Sequence, residues 1–187
     1  GLHPNLKTND GVGHWLCAVP IGASLNAYRP YHLSHHRYAQ QVEDPDLPLS
    51  SPFPVTRASL RRKIIRDLTG QTFFKQRIAP VFRTLPPDED LPEGARVTAR
   101  SALPFLAVNG LFLATAILAG AWWAYVVLWL IPLATWFPLV TRLRNIAEHA
   151  CVANSAIDPL RQARTTHAAW WERAFIAPYW VNFHAEH

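Results

Sequence analysis

The chain has 187 residues, a formal net charge of +5 and hydrophobic residues at half of its positions. This length fits one domain, and two cysteines are too few for a disulfide framework, which favours a reducing compartment. Nucleic acid is excluded as a partner, because acidic residues are interspersed among the lysines and arginines and the basic segments adjoin a long uncharged block.

The first informative segment is a cluster of histidines. Gly11 to Tyr31 is mostly apolar but interrupted by polar and helix-breaking residues, which predicts either a membrane helix or a re-entrant segment. It leads into the string HLSHH, which contains His32, His35 and His36. On a helix that turns about 100° per residue, offsets of three and four place the imidazoles on one face. Three neighbouring imidazoles indicate ligands that share a metal ion.

Two loops and a basic helix separate this cluster from the uncharged block. Residues 44–54 and 85–94 are rich in proline and acidic residues, and we interpret both as solvated loops. Between them, Ser59 to Ile78 combines helical spacing with an apolar stripe and a basic face. This pattern predicts a helix at the membrane interface, resting on anionic headgroups.

The segment from Ala102 to Thr141 contains no Asp, Glu, Lys, Arg or His. A membrane span needs about twenty apolar residues, so this block predicts two spans, with the hairpin near Gly120. The basic flanks place both ends on the cytoplasmic side. A buried helical pair of a soluble protein is disfavoured, because the rest of the chain offers no comparable apolar surface to cover it.

Two further histidine motifs follow the block. In RNIAEH, Asn145 lies one helical turn before His149 on the same face. The polar end of a membrane helix explains this pair without a metal; alternatively His149 is a ligand and Asn145 a nearby polar or water-mediated partner. The motif NFHAEH adds His184 and His187. Two crossings return the chain to the same side, so the clusters can meet. Isolated histidines are predicted to be structural: His3, His14 and His167.

The number of imidazoles limits the chemistry. Many histidines with few thiolates suit iron, copper or zinc, and a structural zinc site is satisfied by four ligands. More candidates than four indicate more than one metal ion, and hence redox or oxygen chemistry. The candidate ligands are His32, His35, His36, His149, His184 and His187.

HLSHH, RNIAEH and NFHAEH, in this order around a hydrophobic block, resemble the histidine boxes of the membrane-bound fatty acid desaturase family. The resemblance implies an all-α fold, an integral membrane helical bundle with a cytoplasmic, histidine-rich di-iron cap, as a single domain over residues 1–187. It makes HLSHH the second box. It also makes His184 and His187 part of the third box, and Asn145 with His149 the Asn-x-x-x-His element.

The resemblance also implies a reaction. It is the O2-dependent desaturation of fatty acyl chains in membrane lipids by two non-haem irons, with electrons from a donor such as cytochrome b5 or ferredoxin that docks on the basic segment. A di-iron lipid or carotenoid hydroxylase shares the boxes and remains an alternative, as does a non-catalytic zinc-binding membrane protein. The family's first box should precede His32 and one more histidine should complete the third box. We therefore expect the 187-residue piece to be inactive by itself.

Overall fold

The structure is a computed structural model that describes residues 3–79, 99–152 and 161–185. Helices are the main structure in these ranges, and the single β pairing in them is an antiparallel bridge between Thr165 and Phe183. The all-α prediction is confirmed.

The α-helices are α1 (Leu6–Val12), α2 (Leu25–Tyr38), α3 (Leu47–Ser50), α4 (Arg57–Leu68), α5 (Gln71–Phe73), α6 (Ala99–Leu118), α7 (Trp122–Ala124), α8 (Ile131–Ala134), α9 (Trp136–His149) and α10 (Trp170–Phe175). Wider π-helical turns form Gly13–Ala18, Phe74–Ile78 and Tyr125–Leu130, and 3-10 turns form Val19–Ile21 and Pro178–Trp180.

The chain divides into two compact units. The first comprises Gly1–Tyr31 and Thr69–Trp136, and the second comprises His32–Leu68 and Phe137–His187. The first unit contains nearly all of the uncharged block, whereas the second contains all three histidine motifs. The candidate chemistry therefore belongs to the second unit.

The apolar block forms two helices joined at a glycine. The backbone amide of Gly120 donates to the carbonyl of Ile117, and Gly120 has a φ of 68°, a left-handed conformation that favours glycine and ends α6. The turn lies where the sequence predicts it. In the part of the chain that the structure describes, one helix is long and apolar enough to cross a membrane, Trp122–His149, whereas Ala102–Leu118 is apolar but shorter. The two crossings stay a prediction.

One buried amide lies inside this apolar region. The Nδ2 of Asn109 donates to the carbonyl oxygens of Pro20 at 3.1 Å and Phe105 at 2.9 Å. Its Oδ1 accepts from the Tyr125 hydroxyl at 3.2 Å and from the Trp129 indole N–H at 2.8 Å. Every hydrogen-bonding position of the amide is thus used, which offsets the cost of burying it. Asn109 links the two apolar helices to the N-terminal segment of the same unit.

The N-terminal apolar stretch is not a single helix. Gly22 has a φ of 73° and separates the turn Val19–Ile21 from α2. Its carbonyl oxygen accepts a hydrogen bond from the Arg77 guanidinium, which satisfies a backbone group released by the break. Of the two sequence-based alternatives for this stretch, the continuous membrane helix is wrong.

The predicted basic helix is also interrupted by a glycine. Gly70 has a φ of 74° and separates α4 from the helical segment Gln71–Ile78. Because a left-handed residue cannot continue a right-handed helix, the expected single helix over Ser59 to Ile78 is two helices. The predicted loop 44–54 contains the short α3, and the loop 85–94 lies outside the described residues.

Candidate metal centre

The histidines of HLSHH take two directions at the end of α2. The Nε2 atoms of His32 and His36 face each other at 3.1 Å, as expected for residues four apart on a helix. His35 is rotated away from this pair, and its ring centroid lies 5.5 Å from that of His36. The side chain of His35 is buried, which directs it toward other parts of the unit.

His35 meets two histidines from distant parts of the chain. Its Nε2 lies 3.0 Å from the Nε2 of His149, and that atom lies 2.9 Å from the Nε2 of His184. All three residues are buried, and each offers one ligand atom within 4.8 Å of the others. The ring of His36 lies 5.2 Å from that of His184, so the pair His32 and His36 adjoins this three-histidine cluster.

An arginine brings the later segments to the end of α9. The guanidinium of Arg164 donates to the carbonyl oxygens of Ile146, Ala147 and Ala150, where a helix C-terminus attracts positive charge. The backbone amide of Arg164 also donates to the Glu148 carbonyl at 3.0 Å. The segment that follows α9 is therefore fixed against the turn that carries His149.

The segment around Thr166 is hydrogen-bonded to the third histidine motif. The amide of Thr166 donates to the Asn182 carbonyl at 2.9 Å, and the Nδ2 of Asn182 donates to the Thr166 carbonyl at 2.8 Å. The bridge between Thr165 and Phe183 lies beside these bonds. His184 follows directly and is thereby placed against His149.

In His35 and His149, the Nδ1 atom is the outer nitrogen, which points away from the cluster. Each of these Nδ1 atoms lies next to a hydrogen-bond acceptor. The Nδ1 of His149 lies 3.2 Å from the carbonyl oxygen of Gln162, and because a carbonyl only accepts, Nδ1 carries the proton. The Nδ1 of His35 lies 2.7 Å from Oδ1 of Asp44, which assigns the proton to Nδ1 in the same way. When both rings are neutral, as metal ligands are, the lone pairs of the His35 and His149 Nε2 atoms point at each other.

This arrangement fits a metal ion. Two facing lone pairs repel each other unless a proton or a cation lies between them. A metal cation at this position can also bind the third nitrogen, the Nε2 of His184. One helical turn before His149, the Oδ1 of Asn145 is buried without a hydrogen-bond partner among the described residues. An unpaired buried oxygen beside a set of imidazoles suits a metal ion or a metal-bound water.

The carboxylate of Asp44 is itself held by the backbone. Its oxygens accept from the amides of Gln40 and Asp46, both at 2.8 Å. Gln40 adopts a φ of 64°, and this tight turn folds the loop back under α2. A histidine whose outer nitrogen binds a fixed carboxylate is oriented and made a stronger ligand, as in the carboxylate–histidine–metal arrangement.

Asp44 and His35 shift each other's proton affinity. Burial by itself lowers the pKa of His35, but the hydrogen bond to Asp44 and the negative charges of Asp44, Asp46 and Glu148 outweigh it, so the pKa of His35 is raised. Burial tends to raise the pKa of Asp44, whereas the hydrogen bonds from His35 and from two backbone amides lower it, and the net pKa is lowered. Both directions favour an ion pair in the metal-free protein.

A second carboxylate adjoins the cluster. Glu148 is buried and pairs with Arg144 one helical turn earlier, at 2.9 Å. Its Oε2 lies 3.8 Å from the Nδ1 of His184, too far for a hydrogen bond but close enough for electrostatic attraction. Glu148 therefore adds negative charge on the side of His184 that faces away from the cluster.

The structure brings together five of the six predicted ligands, and the sixth, His187, lies outside the described residues. The three isolated histidines lie elsewhere: His3 accepts from the Asn5 amide, His14 accepts from the Leu25 amide, and His167 is exposed. Asp44 is a further site residue that the sequence pattern places only in a loop. The acidic DPD string shortly after HLSHH was the available signal, since ligating histidines commonly bind a carboxylate.

Fold and site together define a helical protein with a buried histidine cluster that could hold a metal ion. The sequence profile described as fatty acid desaturase matches residues 1–187, and the chain belongs to that family. The resemblance seen in the sequence is thus confirmed over both units. No curated protein and no solved structure matches the chain significantly.

Removing the Asp44 carboxylate is expected to weaken metal binding while leaving the ligands in place. For Asp44→Asn we expect iron affinity to fall by about 10-fold to 100-fold, because the partner that orients His35 is weakened. The measurement is a chelator competition titration on protein in detergent. Asp46→Asn is the matched control, since Asp46 lies 3.8 Å from His35 and accepts no hydrogen bond from it. Equal losses in both variants would contradict a positioning role.

The ion pair also predicts how the stability of the metal-free protein depends on pH. The raised pKa of His35 gives a contribution that is full below its ordinary value of 6.5 and is lost as pH rises through the raised value. The lowered pKa of Asp44 gives a contribution that is full above its ordinary value of 3.8 and is lost as pH falls through the lowered value. Both contributions are therefore full between 3.8 and 6.5. Thermal unfolding midpoints should differ most between wild type and Asp44→Asn in that window, and a difference independent of pH would refute the pairing.

Proposed function

We propose that this protein desaturates fatty acyl chains of membrane lipids in an O2-dependent reaction at a non-haem di-iron centre. The family supports a desaturase-type oxidoreductase. The observation that carries the iron centre is the buried cluster of His35, His149 and His184, in which the Nε2 atoms of the three rings face one another. The adjoining pair His32 and His36 supports a second ion.

Under this proposal each residue has a task. The ligands of the two irons are His32, His35, His36, His149, His184 and His187. Asp44 and the Gln162 carbonyl hold the protons on the outer nitrogens of His35 and His149, so that the inner nitrogens are free to bind. Asn145 offers its buried oxygen as a nearby polar or water-mediated partner. When bound, the two irons supply the oxygen chemistry that removes hydrogen from two adjacent carbons of a saturated chain.

The burial of the cluster supports this chemistry. His35 is 3% exposed, His149 3% and His184 7%, so water reaches the inner nitrogens poorly. A site that excludes water protects a reactive oxidant from side reactions and strengthens the interaction of the ligands with the ion. The protein thus supplies orientation and exclusion of water, and the metal supplies reactivity.

Partner and location follow from the same proposal. The reaction consumes two electrons from outside the protein, and we propose an acidic carrier such as cytochrome b5 or ferredoxin as their source. The apolar helix Trp122–His149 ends at the ligand His149, which supports a centre at one surface of the membrane. We propose that this surface is the cytoplasmic one, because basic segments flank the uncharged block.

The proposal is tested with the full-length protein reconstituted in lipid that carries saturated acyl chains, with reduced donor and oxygen. Elemental analysis should find two irons per chain, and mass spectrometry should find acyl products that have lost two hydrogens. Hydroxylated acyl or carotenoid products would establish the hydroxylase alternative instead. Bound zinc without any oxygen-dependent product would make the protein a zinc-binding membrane protein and overturn the proposal.

A further inference from the structure

Helix α4 presents a continuous face without acidic residues. Arg57, Arg61, Ile65 and Leu68 follow one another at intervals of three or four residues, which places them in one stripe along the helix. Arg62 borders this stripe, and its side chain is exposed like those of Arg57 and Arg61. A shallow groove runs between these side chains, lined by Arg57, Ala58, Arg61 and Arg62.

The far end of the same stripe is apolar and exposed. Ile65 is 46% exposed and Leu68 is 47% exposed, although both are large aliphatic side chains. The stripe thus changes from basic to apolar along the helix. Among the described residues, no carboxylate lies within ion-pair distance of Arg57, Arg61 or Arg62. Three exposed arginines next to exposed aliphatic side chains favour a partner that is both anionic and apolar.

The neighbouring, buried face of α4 packs against α9. Asp67 is fully buried and accepts two hydrogen bonds from the Arg142 guanidinium in α9. Arg142 is the first charged residue after the uncharged block, so it marks the level at which the apolar helix reaches polar surroundings. The ion pair therefore anchors α4 beside the end of that apolar helix.

We propose that the exposed stripe of α4 binds anionic phospholipid headgroups, with the three arginines on phosphates and with Ile65 and Leu68 among the upper acyl chains. An acidic protein is the other class of anionic partner. The membrane fits better, since an acidic protein surface satisfies the arginines but not the adjoining aliphatic side chains, and since Asp67 fixes α4 beside the end of the apolar helix. This surface is separate from the histidine cluster, and the proposal does not depend on the reaction.

The test uses the whole chain in lipid nanodiscs. The natural cysteines, Cys17 and Cys151, are exposed and are replaced by serine, and Ala58→Cys places a bimane fluorophore in the groove. The discs contain phosphatidylcholine with phosphatidylglycerol as the minor lipid. Two samples are compared: in one the phosphatidylcholine is brominated and in the other the phosphatidylglycerol is, so that each reports how strongly that lipid quenches the probe. We expect the anionic lipid to be enriched at the probe by roughly fivefold for each arginine that contacts a headgroup.

Three sets of substitutions decide the outcome. Arg57→Gln, Arg61→Gln and Arg62→Gln together should abolish the excess quenching by the anionic lipid, whereas lysine at the same positions should retain most of it. The matched control removes three exposed charges elsewhere, with Lys7→Gln, Arg37→Gln and Arg161→Gln, and should retain the excess. Equal quenching by the two lipids in the unsubstituted protein would overturn the proposal. So would a glutamine variant that loses binding of an acidic electron carrier with unchanged lipid quenching, because the stripe would then be a protein docking site.

Discussion

Replacing His149 with alanine is expected to remove most of the bound iron and to abolish acyl oxidation in the full-length protein. His149 is the central residue of the cluster, since its Nε2 lies 3.0 Å from that of His35 and 2.9 Å from that of His184. In the proposed iron centre, its removal takes away a ligand and leaves the other two imidazoles without the residue that joins them. Iron content per chain and product formation would be measured on the same purified preparation.

Two other variants calibrate that result. Asn145→Ala should lower iron affinity or turnover by about 10-fold to 100-fold, the usual cost of losing a polar partner next to a metal site. His167→Ala should retain iron and turnover, because that side chain is exposed and outside the cluster. An essential His167 together with a dispensable His149 would show that the site has been assigned to the wrong residues.

Breaking the ion pair between Asp67 of α4 and Arg142 of α9 should lower the stability of the protein against unfolding more than any other substitution considered above. The Asp67 side chain is 0% exposed and that of Arg142 is 18% exposed. Arg142→Met leaves the buried Asp67 carboxylate without its cationic partner, and losing one member of a buried pair costs about 3–5 kcal/mol. Unfolding of the variant in detergent should therefore occur at a clearly lower temperature or denaturant concentration than that of wild type.

A double variant separates the pair from general damage to the packing. Asp67→Leu combined with Arg142→Met removes both charges, and an apolar pair of similar volume is often as stable as the buried ion pair. We expect the double variant to recover much of the stability lost by Arg142→Met. If the double variant is less stable than wild type by the sum of the losses that Asp67→Leu and Arg142→Met cause separately, then the two side chains do not interact.

Helix periodicity explains why much of the site was predictable. His32 and His36 meet because residues four apart share a helix face, which is a local property of the chain. The turn at Gly120 and the apolar helices around it likewise follow from local composition. By contrast, the sequence did not indicate that Gly22 and Gly70 are the positions of the breaks, because a glycine within a helical pattern marks a break only when its backbone turns left-handed.

The sequence by itself determined the helical class, the family resemblance and the residue types of the metal centre, because motif spacing and apolar runs act over a few helical turns. The tertiary structure decided which histidine meets which. His35 and His149 are 114 positions apart, and the Arg164 contacts and the short bridge at Phe183 are what place His184 beside them. The tertiary structure also decided that Asp44 and the Gln162 carbonyl hold the protons on the Nδ1 atoms of His35 and His149. These hydrogen bonds depend on the path of a loop. Local patterns cannot specify contacts between segments whose meeting depends on how the whole chain packs.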